Sequence, residues 1–225
     1  MYEILPNQER ARWVVIMLYI NIVVTLVFAG SQWWQAGLVE AGDLTTEIAG
    51  QSDMIVGLSA LVFLAVLIAC AVVFILWFRR AYANLHRIEA GNSILSYTEG
   101  WAAGAWFVPF INLVRPYTIM KEIWNETQSN IPGKIEREGL QETSLVGWWW
   151  AAWITFNIVS NITNKVGGQD SVEEIALALR ASALGLLLVI PAGLLAIRMV
   201  QQTNVFEQEL YETRRMSDPM EHLVV

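Results

Sequence analysis

The chain has 225 residues, of which 55% are hydrophobic and only 16% are charged. A soluble domain carries about 25% charged residues, and the apolar residues here fall in long blocks, so the composition argues against a soluble domain and indicates lipid-facing helices. The net charge of −7, with basic residues few and dispersed, gives no support to a nucleic-acid partner.

The first two apolar blocks predict two membrane-spanning helices. Residues 13–30 are apolar for eighteen positions with two polar interruptions, and residues 54–78 contain no charge over 25 positions. The stretch between them, residues 31–53, holds four acidic residues and no basic one, so we predict a loop there. Arg79 and Arg80 end the second block abruptly.

The basic residues predict the orientation of these spans. They flank the start of the first span and the end of the second, and such residues favour the cytoplasmic side. The N-terminus, residues 1–12, is therefore expected in the cytoplasm, and residues 31–53 outside. A cleaved signal peptide is an alternative for residues 13–30, although its apolar region would be only about 7–15 residues long.

Two further spans are predicted in the second half of the chain. Residues 145–163 are entered through a tryptophan cluster, and residues 175–199 form the last apolar block. We expect Arg180 to reach the outer membrane surface. Pro191 is expected to kink the last span, and neighbouring helices would then satisfy the carbonyl that it frees. The tail, residues 200–225, is polar, begins as a helical extension and is placed in the cytoplasm.

Three asparagines recur along the predicted third span. Asn157, Asn161 and Asn164 are spaced four and three residues apart, so they share one helix face. Because an amide facing lipid would lack hydrogen-bond partners, this face should point into the helix bundle. Hydrogen bonds between helices are one interpretation, and one wall of a polar pocket is the other.

The central stretch, residues 100–128, is apolar but broken. Its apolar part, residues 101–114, has only fourteen residues, whereas a bilayer-crossing helix needs about 20. We therefore predict a helix, a break and a second helix that re-enter the membrane or lie at its cytoplasmic surface. A fifth full crossing is the alternative; it would bury Arg115 in the membrane and place the tail outside.

Individual residues predict how this segment is built. Pro109 should end or bend the first helix, Asn112 can cap the next turn or bond a freed carbonyl, and Pro116 suits the first turn of the second helix. Arg115 and Glu122 are seven residues apart and share a helix face, so we expect them to pair. Alternatively, Arg115 reaches lipid phosphates while the tryptophans form an interfacial belt.

The order of residues through this part of the chain resembles a known family. The residues that carry the resemblance are Arg80, Tyr82, Asn84, Leu85, Gly100, Trp101, Trp106, Pro109, Asn112, Leu113, Arg115, Pro116, Tyr117, Met120, Glu122 and Trp124. In this respect the chain is similar to the bacterial membrane-protein family called domain of unknown function 4328. The resemblance implies a multi-span membrane fold and a bacterial inner-membrane location, and it supplies no activity.

The expected architecture is an all-α integral membrane bundle. It has four transmembrane helices and a broken re-entrant or interfacial helix pair between spans two and three. Residues 13–199 would form one membrane domain with both termini in the cytoplasm.

The function expected from the sequence is non-enzymatic. No catalytic motif, no metal-ligand spacing and no cofactor motif is present. The first hypothesis is a scaffold or accessory protein that contacts lipids, another membrane protein or a second copy, through the patch of small residues at Gly100 and Gly104 and the Trp-rich surface. The second is a small transporter, channel or lipid- or small-molecule-binding protein with a cytoplasm-facing pocket around Arg115. The candidate pocket residues are Trp101, Trp106, Pro109, Asn112, Arg115, Pro116, Tyr117, Glu122 and Trp124.

Overall fold

The computed structural model describes residues 4–42, 45–88, 95–163, 165 and 171–217. Within these residues all regular structure is helical. The helices are α1 (Gln8–Ala41), α2 (Thr46–Ile88), α3 (Trp101–Gly104), a 3-10 turn (Ile111–Leu113), α4 (Arg115–Ser129), α5 (Lys134–Arg137), α6 (Ser144–Thr163), α7 (Val172–Leu186) and α8 (Val189–Ser217). Three helical segments of the described chain are long and apolar enough to cross a membrane: α1, α2 and Val172–Met216.

Helices α1 and α2 extend well beyond the apolar blocks that predicted them. Helix α1 ends only at Ala41, where Gly42 adopts a φ of +70° that favours glycine and closes the helix. Helix α2 begins at Thr46, and the Thr45 hydroxyl caps it by accepting a 3.3 Å hydrogen bond from the Ile48 amide. The loop predicted at residues 31–53 is therefore wrong over most of its length, because its polar residues continue the two helices.

Helices α6 and α7 start close to their predicted positions. The helix expected at residues 145–163 is α6, whose 20 residues extend about 30 Å at 1.5 Å per residue. Helix α7 begins at Val172 because Ser171 acts as its cap, with the Ser171 hydroxyl accepting a 3.2 Å hydrogen bond from the Glu174 amide.

The last apolar block is interrupted just before its proline. Helix α7 ends at Leu186 and α8 begins at Val189. Pro191 has no amide hydrogen to donate to the Leu187 carbonyl, and the Ile190 amide donates to that carbonyl instead, at 3.1 Å. The predicted disturbance is confirmed, but the chain itself satisfies the freed carbonyl, so the expected help from neighbouring helices is not needed. The predicted helical start of the tail is also confirmed, since α8 continues to Ser217.

The contacts within the chain divide it into two compact units. The first unit comprises Met1–Val15, Val72–Trp148 and Ile197–Val225, and the second comprises Ile16–Ala71 and Trp149–Ala196. The first unit contains the central segment and most of the large buried side chains. Those with less than 2% exposure there include Trp77, Phe78, Tyr82, Leu85, Ile119, Met120, Ile123, Ile131, Ile197, Met199 and Phe206.

The second unit packs closely through small residues and leaves many apolar side chains outside. Ala29, Ala183 and Leu186 form its buried cluster. A Cβ atom at Gly193 would lie only 2.9 Å from Ile22 Cδ1, so the two helices approach closely because this residue is glycine. Leu61 and other large apolar side chains stay more than half exposed, which is typical of helices that face lipid.

Arg180 belongs to the second unit and has two partners there. Its guanidinium pairs with the Glu40 carboxylate, and its Cζ atom lies 4.6 Å from the centroid of the Trp33 ring. The tryptophan suits a membrane boundary. The expectation that Arg180 reaches the outer surface stays a prediction, and these contacts show how its charge is stabilised.

Candidate functional site

The central segment of the first unit has the predicted sequence of helix, break and helix. Helix α3 is a single turn, the chain turns around Pro109, and α4 begins at Arg115 with Pro116 in its first turn. The residue at the cap position of α4 is Val114, and no side chain caps this helix. The predicted capping of the second helix by Asn112 is therefore wrong.

The break exposes a group of large apolar side chains. Phe107 and Phe110 are 75% and 84% exposed, and Leu113 and Val114 are 47% and 59% exposed. Phe110 has a φ of +64° and a ψ of −38°, a sparsely populated conformation that costs a non-glycine residue on the order of 1–3 kcal/mol. We refer to Phe107, Phe110, Leu113 and Val114 as the apolar tip. Its composition is unfavourable in water and favourable in lipid.

Arg115 follows the apolar tip and lies against aromatic rings. Its Cζ atom is 3.7 Å from the centroid of the Trp101 ring and 4.9 Å from that of the Tyr97 ring. Its Nη1 atom is buried and has no hydrogen-bond partner among the described residues. Cation–π contacts thus hold the guanidinium in place.

Glu122 has partners other than Arg115. Its Oε2 atom accepts a 2.7 Å hydrogen bond from the Tyr82 hydroxyl, and its Oε1 atom accepts one of 3.2 Å from the Ser96 amide. Burial first, and then the nearby Glu122 carboxylate, raise the pKa of Tyr82. Among the described ion pairs, none joins Glu122 to Arg115, so the predicted pair is wrong. Glu122 instead ties α4 to α2.

The remaining aromatic candidates on this segment have packing roles. The Trp106 ring makes edge-to-face contacts with Phe74 and Phe78, both at 5.7 Å between centroids. Trp124 is buried, and its indole nitrogen donates a 3.1 Å hydrogen bond to the Gln141 carbonyl. The structure places both tryptophans in the packing of the first unit.

The polar face predicted on α6 bonds within its own helix. The side-chain amide of Asn157 donates to the Trp153 carbonyl, and that of Asn161 donates to the Asn157 carbonyl, both at 2.8 Å. These two side-chain amides therefore donate within α6, and not to another helix as predicted. Asn161 is exposed. Asn164 lies outside the described residues.

Comparison with known proteins identifies the family. The model of a domain of unknown function (DUF4328) matches residues 40–205, which is most of the chain. The chain belongs to this family. No curated protein and no solved structure matches it. The central segment of this DUF4328 protein, with Trp101, Arg115 and Glu122, lies wholly within the matched residues.

A cavity that was not predicted lies in the first unit of this DUF4328 protein. Its volume is about 320 Å³, which is at the small end of the range for ligand pockets. It is lined by residues 4–8, by Asn84 of α2, and by Asn204, Glu207, Gln208, Tyr211, Glu212 and Arg215 of α8. The candidate residues Asn112, Arg115 and Glu122 do not line it.

Two buried asparagines organise this cavity. The Asn7 amide donates to both Glu207 carboxylate oxygens, at 3.2 and 3.1 Å, and to the Trp77 carbonyl at 3.3 Å. The Asn84 side chain forms two hydrogen bonds with the backbone of Leu5, accepting from its amide at 3.1 Å and donating to its carbonyl at 2.8 Å. The start of the chain is thereby fixed against α2 and α8.

Glu207 is the acidic group at the centre of this arrangement. It lies nine residues beyond Arg198, where the apolar run of the last predicted span ends. Burial raises the pKa of Glu207 to about 7, while the Asn7 and Asn84 amides limit this increase. Sequence reasoning missed Glu207 because its partner Asn7 is 200 positions away. The only signal was Asn84, which belongs to the residues that carry the family resemblance.

Proposed function

We propose that the protein crosses the bacterial inner membrane four times with both termini in the cytoplasm. The spans would be the apolar parts of α1, α2, α6 and the α7–α8 pair. Support comes from the three long apolar helices and from α6, whose length of about 30 Å equals the thickness of the hydrocarbon core. The distribution of basic residues supports the orientation.

Within this topology, we propose a non-enzymatic accessory role that acts through lipid contacts. The observation that carries the proposal is the apolar tip beside Arg115. With the tip inserted among acyl chains, the half-buried Arg115 would lie at the level of the phosphates, where an anionic oxygen can approach its guanidinium. The stacking on Trp101 and Tyr97 fixes the guanidinium at this position.

The geometry favours this role over the alternatives. A pocket around Arg115 would need Arg115 and Glu122 to share a polar site, but their contacts are with different residues. Contact with another membrane protein or a second copy through Gly100 and Gly104 would rest on α3, which is only one turn long. Membrane lipid is therefore the partner that we propose.

The placement of the tip can be measured with a single labelled cysteine. Cys70 is the only cysteine in the chain, so Cys70→Ser provides a background for Phe110→Cys carrying an environment-sensitive fluorophore. In proteoliposomes we expect an apolar emission spectrum, and stronger quenching by lipids with a nitroxide near the headgroup than by lipids with one at the acyl-chain end.

A matched control lies on the same unit. Glu136 is exposed on α5, and a fluorophore on Glu136→Cys should report water and resist quenching by lipid. If the Phe110→Cys label behaves like this control, the tip does not contact lipid and the proposal fails. Strongest quenching at the acyl-chain end would instead support a full fifth crossing.

A further inference from the structure

We propose that the cavity lined by Asn7, Asn84, Asn204 and Glu207 binds a small primary amine in its ammonium form, with the nitrogen at the Glu207 carboxylate. This goes beyond the proposed contact with lipid, since it concerns a soluble ligand and residues outside the central segment.

The cavity is lined by polar side chains, among them Asn7, Asn204 and Glu207. The Oδ1 atoms of Asn7 and Asn204 are buried and have no hydrogen-bond partner among the described residues. Asn7 is only 5% exposed, and its amide nitrogen is already used by Glu207 and Trp77. Exchanging the amide oxygen and nitrogen of Asn7 would set an oxygen against the carboxylate, so Glu207 fixes this orientation.

The charge of the cavity also favours a cation. Its charged lining residues are Glu207, Glu212 and Arg215, which together carry one negative charge when all are ionised. None of the ion pairs found in the described chain includes Glu207 or Arg215. A monovalent cation would balance the lining, and its N–H groups would donate charge-assisted hydrogen bonds to the Glu207 carboxylate, which are among the strongest available.

An organic ammonium ion fits better than a metal ion. Over the described residues, no group of three or more His, Cys, Asp or Glu side chains is placed to bind a metal. A divalent ion such as Ca²⁺ takes about 6–8 oxygens at close range, whereas the volume of about 320 Å³ is that of a small-molecule pocket. An alkyl chain would contact the apolar residues Ile4, Leu5 and Pro6, which line the same cavity.

Isothermal titration calorimetry on the full chain in detergent tests the proposal. The probe is n-butylammonium at pH 8, compared with tetramethylammonium, which has the charge without N–H donors, and with 1-butanol, which is neutral. We expect saturable binding of butylammonium alone. Glu207→Gln should weaken it at least about tenfold, and Asn204→Leu should weaken it several-fold because it replaces a polar lining residue by an apolar one.

The control variant is Glu9→Gln, which removes an exposed carboxylate two residues from Asn7 and outside the cavity. It should bind butylammonium as the wild type does. Equal binding of tetramethylammonium, equal binding by Glu207→Gln, or no saturable binding by the wild type would each overturn the proposal. If Glu207→Gln fails to fold, Asn204→Leu and the two ligand analogues still decide the question.

Discussion

Replacing Glu207 by glutamine should change how the stability of the protein depends on pH. The Glu207 carboxylate accepts two hydrogen bonds from Asn7 but has no positively charged partner among the described ion pairs. The charged groups that line its cavity, Glu212 and Arg215, belong to its own helix, while Asn7 and Asn84 from the other segments are neutral. Ionising Glu207 in the folded state is therefore unfavourable, and glutamine removes that ionisation.

The size and sign follow from the raised pKa. The pKa of Glu207 increases from 4.5 to about 7 on folding, and each unit corresponds to about 1.4 kcal/mol. The folded state thus binds the proton more tightly than the unfolded state, so stability is greatest below pH 4.5 and falls as the pH rises through 7. The full loss is at most about 3.5 kcal/mol, of which about 2.5 kcal/mol falls between pH 5 and 8.

Thermal unfolding in detergent, followed by the fluorescence of the 11 tryptophans, measures this effect. Relative to the wild type, Glu207→Gln should gain about 5–10 °C in its unfolding midpoint between pH 5 and 8. Glu9→Gln, which removes an exposed carboxylate nearby, should remain parallel to the wild type. Parallel curves for the wild type and Glu207→Gln would show that Glu207 ionises freely, and the reasoning would be refuted.

Three further predictions concern other contacts. Losses of stability from Arg115→Ala and Glu122→Gln should add to within about 0.5 kcal/mol in the double variant, whereas Arg115→Ala and Trp101→Ala should be coupled by about 0.5–2 kcal/mol; additivity in the second double variant would argue against the stacking. Glu209→Gln should lower the free energy of unfolding by about 1–2 kcal/mol, because it removes the carboxylate 2.6 Å from the buried Lys134 ammonium while Glu138 remains 3.5 Å away; the same detergent assay would contradict this with a loss below about 0.5 kcal/mol. Reporter fusions at the two termini should both report the cytoplasm, and an external C-terminus would contradict the four-span topology.

The sequence predicted the helices better than it predicted where they end. Long apolar blocks located α1, α2 and α6 because lipid-facing helices need uninterrupted apolar residues. The charges of residues 31–53 suggested a loop, yet a charge on an exposed helix surface costs little, and the helix ends only where Gly42 turns the chain. The residue at which a helix ends depends on local backbone geometry of this kind. Composition indicates only whether the helix is surrounded by lipid or by water.

Proline positions predicted the breaks more reliably than the contacts around them. Pro191 and Pro109 both lie next to interruptions, since a missing amide hydrogen is a local property of the chain. The groups that compensate for a break could not be predicted from the sequence pattern. Asn112 was expected to cap α4, but no side chain caps that helix. At Pro191 the compensating donor is the amide of the preceding residue, Ile190.

The absence of the predicted Arg115–Glu122 ion pair shows why the residues of a site are easier to predict than their contacts. A shared helix face brings two side chains to the same side of one helix, and it says nothing of what the rest of the fold places there. Arg115 is met by Trp101 from before the break, and Glu122 is met by Tyr82 from α2. Contacts of this kind join segments far apart in sequence, as Asn7 and Glu207 do. For this reason a single sequence could identify the residues of the central segment but could not assign their partners, and its only signal for the cavity at Glu207 was Asn84.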